Sequence, residues 1–339
     1  MGYGVAGSAF HAPLIATTAG LRLTAIVTRD PARAAAAAER YPGVEVVADT
    51  DQLWSLDLDA VTIASPNHTH VPLALAALAA GLNVVVDKPL ATSVAEAERL
   101  IAAAAEADRL LTVYFNRRWD GDFRTVAQLV DDGALGRVAR FESRFERWRP
   151  QVASTWKETA GAGQGGGILY DLGPHLIDQA LRLFGPARTV YAEVDTTRAG
   201  GTNPDDVFLA LTHVGGVRSH LFMSAVAADL GPRFRVLGTA GGYRVFGLDG
   251  QEPALRAGLM PDDRWGEVPE ADWGTLVGSD EPRPVPSLPG AYPEFYRLWE
   301  VAVRRTGPVP VDPVDALTGL RIIEAAEVSS RDLRVISLE

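Results

Sequence analysis

Gly2-Tyr3-Gly4-Val5-Ala6-Gly7, directly after Met1, has the spacing G-x-G-x-x-G. In that spacing the first glycine permits a tight turn, the second lets backbone N–H groups approach a pyrophosphate, and the third lets a helix pack closely. The pattern is short, and a flexible glycine-rich terminus would also satisfy it. The residues after Gly7 favour the built turn: 9–17 read as a helix and 21–27 as a second strand, at the distance a dinucleotide-binding turn requires. Gly2, Gly4, Ala6 and Gly7 are therefore expected to line a cofactor. The strand that should lead into the turn is missing, since only Met1 precedes Gly2. Either the gene start is assigned late or the chain was trimmed, and the gap would leave buried sheet backbone unpaired.

Short β-branched runs then alternate with alanine-rich helical runs, the pattern of a parallel sheet covered by helices. Residues 21–27, 44–48, 60–64, 83–86 and 110–114 read as strands, and 31–40, 71–80 and 94–107 as the crossover helices. After Asn116 the texture changes. Residues 138–147 alternate apolar and charged side chains, placing Phe141 and Phe145 on one face, and further strands are expected at 189–194, 206–213, 217–223, 234–237 and 243–246. Residues 251–290 are rich in Pro, Asp and Trp and read as long surface loops, before helical spacing resumes at 292–305 and 313–331. The expected organisation is an α/β domain over 1–116 and an α+β domain over 117–339 with a large, mostly antiparallel open sheet. A chain of 339 residues exceeds one comfortable core, which agrees with two domains.

Composition narrows the partners. An apolar fraction of 47% supports a packed interior, and a net charge of -11 disfavours nucleic acid, whose binding rests on Lys and Arg displacing counterions. The chain has no cysteine, so disulfides and thiolate chemistry are excluded. No run approaches the ~20 apolar residues that span a bilayer, and the start lacks a basic leader segment, so a soluble cytoplasmic protein with a small-molecule partner is expected.

At the end of the second strand, an acidic residue would hold the adenosine ribose of NAD and a basic one would accommodate the extra phosphate of NADP. Here Thr28-Arg29 stands at that point with Asp30 just beyond, so NADP is preferred over NAD; Arg29 as a solvated turn residue is the competing reading.

Three further segments are Ser65-Pro66-Asn67-His68-Thr69-His70, Val86-Asp87-Lys88-Pro89-Leu90 and Tyr170-Asp171-Leu172-Gly173-Pro174-His175-Leu176-Ile177-Asp178. Together with the glycine turn, they make the chain resemble the glucose-fructose oxidoreductase/inositol dehydrogenase (Gfo/Idh/MocA) family over nearly its whole length. Phe10-His11-Ala12-Pro13-Leu14 and Asn116-Arg117-Arg118-Trp119-Asp120 resemble the bacterial branch that contains NADP-dependent scyllo-inositol dehydrogenase. The resemblance implies a Rossmann domain followed by a substrate-binding and oligomerisation domain, with Lys88 beside the nicotinamide and the substrate hydroxyl and Asp171 with His175 as a catalytic pair. Asp87 stands where the family usually has Glu, which preserves the charge. The resemblance also implies pairing of the C-terminal sheets into a homodimer or homotetramer.

The chemistry of these residues agrees. Asp171 and His175 lie four apart in an expected helix after Gly165-Gly166-Gly167, so they share a face. A neutral imidazole can take the hydroxyl proton as a carbinol is oxidised, while the carboxylate orients the ring, and Lys88 can stabilise the developing alkoxide. No metal is needed, and His68-x-His70 lacks a third ligand close in sequence. Ser65, Pro66, Asn67 and His70, after their strand, are expected to line the cofactor with Asp87. Asn116 and Arg118 can reach substrate, although Arg118 could equally pair with Asp120 or Asp122. Trp156 and Tyr170 can wall a sugar pocket, with a core role equally open to the tryptophan. Hydride transfer to or from a cyclitol or sugar is the leading expectation. The same chemistry on a dihydrodiol or other non-sugar substrate, or a non-catalytic dinucleotide-sensing regulator, are the alternatives.

Overall fold

The computed structural model describes residues 1–153, 156–160, 162–278 and 280–338, with the side chains of Trp156, Lys157 and Ala162 outside the description. The chain forms two compact units. The first comprises 1–116, 251–265 and 291–317, and the second 117–250, 266–290 and 318–339. This corrects a single cut after Asn116. Two later segments return to the first unit because its core needs them: the Phe295 ring lies edge-on to Tyr114 at 4.8 Å, and Thr112 Oγ1 donates to the Val311 carbonyl at 2.7 Å.

The first unit holds five parallel strands, β1 (Ala25–Val27), β2 (Glu45–Val47), β3 (Ala60–Ile63), β4 (Asn83–Asp87) and β5 (Leu111–Tyr114). They do not form one sheet: β1 pairs only with β2, and β3-β4-β5 form a separate three-stranded sheet. In β4, Val84, Val85 and Val86 are all fully buried, the signature of a strand covered on both faces. The crossover helices are Pro31–Arg40, His70–Ala79 and Val94–Glu106. Their starts obey ordinary capping chemistry: Asp30 accepts from Arg33 N–H at 3.0 Å, and Ser93 accepts from Glu96 N–H at 3.3 Å.

The second unit is built on a nine-stranded sheet in the order β13-β12-β11-β10-β6-β9-β8-β7-β14. The strands are β6 (Val138–Glu146), β7 (Ala187–Asp195), β8 (Asp206–His213), β9 (Arg218–Ser224), β10 (Phe234–Gly238), β11 (Gly242–Val245), β12 (Gly274–Val277), β13 (Arg283–Val285) and β14 (Ile336–Ser337). Only β6 and β9 pair in parallel. Phe141 and Phe145 are buried on one face as their alternation requires. The helix Ile168–Phe184 packs on β6, β8 and β9.

Residues 251–290 are not all loop. They contain the helix Gln251–Arg256 and the strands β12 and β13. Strands of four and three residues are too short for a periodic signal, and they exist because β11 offers an edge on which Tyr243 pairs with Leu276. Gly274 is obligatory there, since a Cβ would stand 2.0 Å from the Tyr243 hydroxyl.

The second unit also buries a cluster of charged side chains. Arg117 pairs with Asp120 at 3.2 Å, Arg233 faces Asp122 at 3.6 Å, and Asp249 accepts from Gly121 N–H at 2.7 Å. Burial pushes the Asp120 carboxyl well above its usual range despite Arg117, with Asp122 and Asp249 acting in the same direction. The folded chain then holds a proton that the unfolded chain releases above pH ~4, so this group's contribution to stability declines as pH rises through the neutral range. Asp120→Asn should flatten that slope and leave the variant more stable than the parent at pH 8. Urea-unfolding midpoints between pH 5 and pH 8 that shift in parallel for both proteins would contradict this.

Candidate active site

In the first unit the glycine turn behaves as its spacing requires. Gly2 has φ +88°, and a Cβ there would meet the Ala64 carbonyl oxygen at 2.6 Å; one on Gly7 would meet the Gly2 carbonyl oxygen at 2.0 Å. Gly4 is different: a Cβ on it meets nothing within 4 Å. Two glycines close the turn and the third leaves room above it, which fits a dinucleotide phosphate at the start of a helix. Helical turns begin at Ala6, earlier than expected, and run as a π-type turn Ala6–His11 into Ala12–Thr17.

β1 ends at Val27, placing Thr28 and an exposed Arg29 immediately beyond it. Asp30 is committed to capping the following helix. After β3, Ser65 and Thr69 hydroxyls bond at 2.6 Å, Thr69 also donates to the Pro66 carbonyl, and Asn67 is buried.

His70 opens the helix that follows. It is fully buried, and its Nδ1 lies 2.8 Å from the Pro89 carbonyl oxygen and its Nε2 2.9 Å from that of Ser65. Burial holds its pKa below the ordinary histidine value, against the opposite pull of Asp87 and the two carbonyls. A neutral imidazole carries one N–H, so His70 donates to one of these two carbonyls and stands between the Ser65 loop and the Lys88-Pro89 segment.

Lys88 directly follows β4 and is half-buried. Its N–H donates to the Asp87 side chain at 2.9 Å. Behind Asp87 lies a buried polar chain that the sequence did not reveal. The Tyr296 hydroxyl stands 3.3 Å from Thr62 Oγ1 and 2.7 Å from His11 Nδ1, and His11 Nε2 stands 3.8 Å from Asp87 Oδ1, within charge-pair range. Burial alone would raise the Asp87 carboxyl; contact with His11 and the charges of Lys88 and His70 outweigh it and hold the carboxyl below its usual value. Asp87 is thereby kept anionic next to Lys88. His11 belongs to the Phe10-His11-Ala12-Pro13 segment, but its partner lies 285 positions away, beyond the reach of any local pattern.

In the second unit, Gly167 at φ +85° caps the helix Ile168–Phe184, and a Cβ on Gly166 would meet the Ala160 carbonyl oxygen at 2.8 Å. Asp171, in the first turn, and His175, 5% exposed, are one turn apart on this helix, about 40° from each other around its axis. Asp178 continues the face. Arg118 grips it with both ends of its guanidinium, Nε to Oδ2 at 2.8 Å and Nη2 to Oδ1 at 2.5 Å. Arg118 thus braces the helix through Asp178, a partner beyond the Asp120 and Asp122 that the sequence offered.

Tyr170 precedes Asp171 on the same helix. It is 6% exposed, about 100° around the helix from Asp171, with its hydroxyl's pKa raised by burial and then by Glu327 and Glu324 of the helix Pro313–Asp332. Asn116 is 6% exposed at the end of the first unit's initial segment. The Trp156 side chain lies outside the described residues.

A dinucleotide turn on a parallel α/β unit, joined to an α+β unit whose central helix carries an acid and a histidine one turn apart, defines a nicotinamide-dependent oxidoreductase. The chain belongs to the Gfo/Idh/MocA oxidoreductase family: residues 1–115 match its NAD-binding Rossmann fold and residues 123–244 its C-terminal domain. It is 36% identical over 345 residues to the scyllo-inositol 2-dehydrogenase (NADP(+)) IolW of Bacillus subtilis, covering 100% of this chain and 95% of that one. It is 38% identical to the Escherichia coli oxidoreductase YdgJ, covering 100% and 97%. The crystal structure of the Bacillus subtilis oxidoreductase yvaA superposes with a TM-score of 0.94 at 35% identity, covering 100% of this chain and 97% of that one. Among the described residues, no helix is long and apolar enough to cross a membrane.

Proposed function

We propose that the chain is an NAD(P)-dependent dehydrogenase that oxidises a secondary alcohol of a cyclitol or sugar, or reduces the matching ketone, with NADP preferred. The observation that carries this reading is the placement of Asp171 and His175 one turn apart on a helix of the second unit. It is supported by Lys88 at the carboxyl end of a parallel strand, where ligands of open α/β sheets bind. The inositol substrate in the name of the relative IolW supports the substrate class.

In this reading Gly2, Gly4, Ala6 and Gly7 hold the pyrophosphate, Thr28 and Arg29 the adenosine end, and Ser65, Pro66, Asn67 and Asp87 the nicotinamide side. A nicotinamide held there would supply the hydride acceptor. His175 takes the hydroxyl proton, Asp171 orients its ring, Lys88 stabilises the negative charge growing on the same oxygen, and Asn116 contacts the substrate. Self-association as a homodimer or homotetramer through the open face of the nine-stranded sheet completes the proposal. On that face the alternate residues of β8 are only half-buried, and Phe208 meets Phe222 at 5.0 Å.

The NADP preference rests on Asp30, whose carboxylate caps a helix and leaves Arg29 as the side chain free to meet a 2′-phosphate. Arg29→Glu should raise the NADP dissociation constant at least about tenfold while changing that for NAD far less. An unchanged ratio of the two constants would displace the ribose site from this position. The activity itself is tested by following NADP and NAD reduction at 340 nm against inositols, aldoses and lactones. A cyclitol or sugar should give the highest kcat/KM with NADP, and no reduction above background with any polyol would refute the assignment.

A further inference from the structure

The glycine turn ahead of the helix Ile168–Phe184 is wedged against two segments of the second unit. Ile168 N–H donates to the Pro204 carbonyl at 2.8 Å, and a Cβ on Gly167 would stand 3.0 Å from the Pro204 ring. A Cβ on Gly166 would meet the Ala160 carbonyl oxygen at 2.8 Å and Asn203 Nδ2 at 2.9 Å. Asn203 Nδ2 also donates to the Glu158 carbonyl at 2.9 Å, which ties the two segments together. Asp171 N–H donates to the Gly167 carbonyl at 3.1 Å, so the place of Asp171 follows from the place of this turn.

One buried side chain grips both segments. Arg198 lies in the connection between β7 and β8, and its side chain is 5% exposed. It donates from Nε to Asp205 Oδ2 at 2.8 Å and from Nη2 to Glu158 Oε2 at 2.6 Å. Its Nη1 donates to the Arg149 carbonyl at 3.2 Å and to Glu158 Oε1 at 3.3 Å. Asp205, next to Pro204, accepts at Oδ1 from both the N–H and the hydroxyl of Thr197, and at Oδ2 from Arg198 N–H. Burial alone would raise the Asp205 carboxyl; the bonds from Thr197 and Arg198 outweigh it and hold the carboxyl below its usual value. A buried ion pair often adds little net stability over an apolar cluster of the same volume. The rigid fork of a guanidinium does fix geometry, and here it spans three pieces of chain at once.

We propose that Arg198 is a positioning residue for the pair Asp171 and His175. By locking the Glu158 and Asp205 segments against the Gly166-Gly167 turn, it sets the first turn of the helix and hence where the Asp171 carboxylate lies. Arg198 acts through Asp171 and takes no part in the chemistry itself. The inference rests on the roles given to Asp171 and His175 above.

The test uses Arg198→Gln and Arg198→Lys, the second keeping a cation beside Asp205 without the fork. Amide exchange at Ile168 and Asp171 should quicken at least about tenfold in both. Alcohol oxidation should slow by roughly tenfold to a hundredfold in kcat, the cost of a misplaced group, with the NADP dissociation constant within a few-fold of the parent. The acid limb of the pH profile should move in the same direction as in Asp171→Asn. Adding Arg198→Lys to Asp171→Asn should cost almost nothing more, because the group that Arg198 places is already gone. Where the glutamine variant does not fold, the lysine variant carries the same readings. Unchanged exchange at Ile168 and Asp171 overturns the proposal, as does a loss of rate that multiplies with that of Asp171→Asn in the double variant. Parental kinetics in Asp171→Asn would refute the reading of the site itself. An impaired Asp171→Asn beside kinetically parental Arg198 variants would leave that reading standing and sink this proposal alone.

Discussion

Lys88→Ala should lower kcat by roughly 10²–10³ while leaving the NADPH dissociation constant within a few-fold of the parent. The reason is that the ammonium is asked to act on charge that exists only as the hydride departs. An interaction that strengthens in the transition state lowers kcat and kcat/KM together when removed, whereas uniform binding lowers only affinity. The size is what one preorganised donor to a developing oxyanion contributes elsewhere. The environment of Lys88 suits the role. The residue comes after three fully buried valines on a rigid strand, and its own N–H is held by an Asp87 carboxylate that stays charged beside it. Lys88→Arg should recover little, since the broad guanidinium is a poor copy of a compact ammonium. Near-parental turnover in the alanine variant, measured with a saturating substrate from the screen, would remove Lys88 from the chemistry.

His175→Asn should slow alcohol oxidation by roughly 10²–10⁴, the contribution of a positioned base, without loss of cofactor binding. A drop in rate alone would also result from damage to the helix, so the discriminating readout is the pH profile. If neutral imidazole accepts the proton, the parent's oxidation rate falls on the acid side, and the asparagine variant should lose that limb while its residual activity becomes flat. Asp171→Asn should retain the limb and displace it, because the carboxylate orients the ring without taking the proton itself. A His175→Asn protein with the parental acid limb would assign the proton transfer to another group.

Much of this frame could be read in the amino-acid order, and the parts that could not share one physical cause. The helix Pro31–Arg40 and the strand Asp206–His213 fall where periodicity and capping place them, because the signals are local: Asp30 before Pro31, and strict alternation through β8. Arg118, His70 and Tyr170 are the contrary cases. Each is a polar side chain near a motif, and each has a distant neighbour: Asp178 sixty positions on, the Pro89 carbonyl nineteen positions on, and the carboxylates of the last long helix. A sequence shows that a residue can act, but not whether a neighbour already holds it. The return of residues 251–265 and 291–317 to the first unit is the same lesson at the scale of the chain. Tyr296, which bonds His11, comes from one of these returning segments, so the polar chain behind Asp87 had no local trace.

The central claim is that a hydride passes directly between a carbinol carbon and the nicotinamide while His175 and Lys88 handle the oxygen. The most direct measurement uses the best polyol from the screen with deuterium on the carbon to be oxidised and tracks NADPH formed in one turnover by mass spectrometry. The account predicts NADPH carrying one deuterium, formed more slowly than with the protiated polyol, and almost none of it with Lys88→Ala. NADPH without deuterium, or equal yields from the parent and the Lys88→Ala protein, would contradict it.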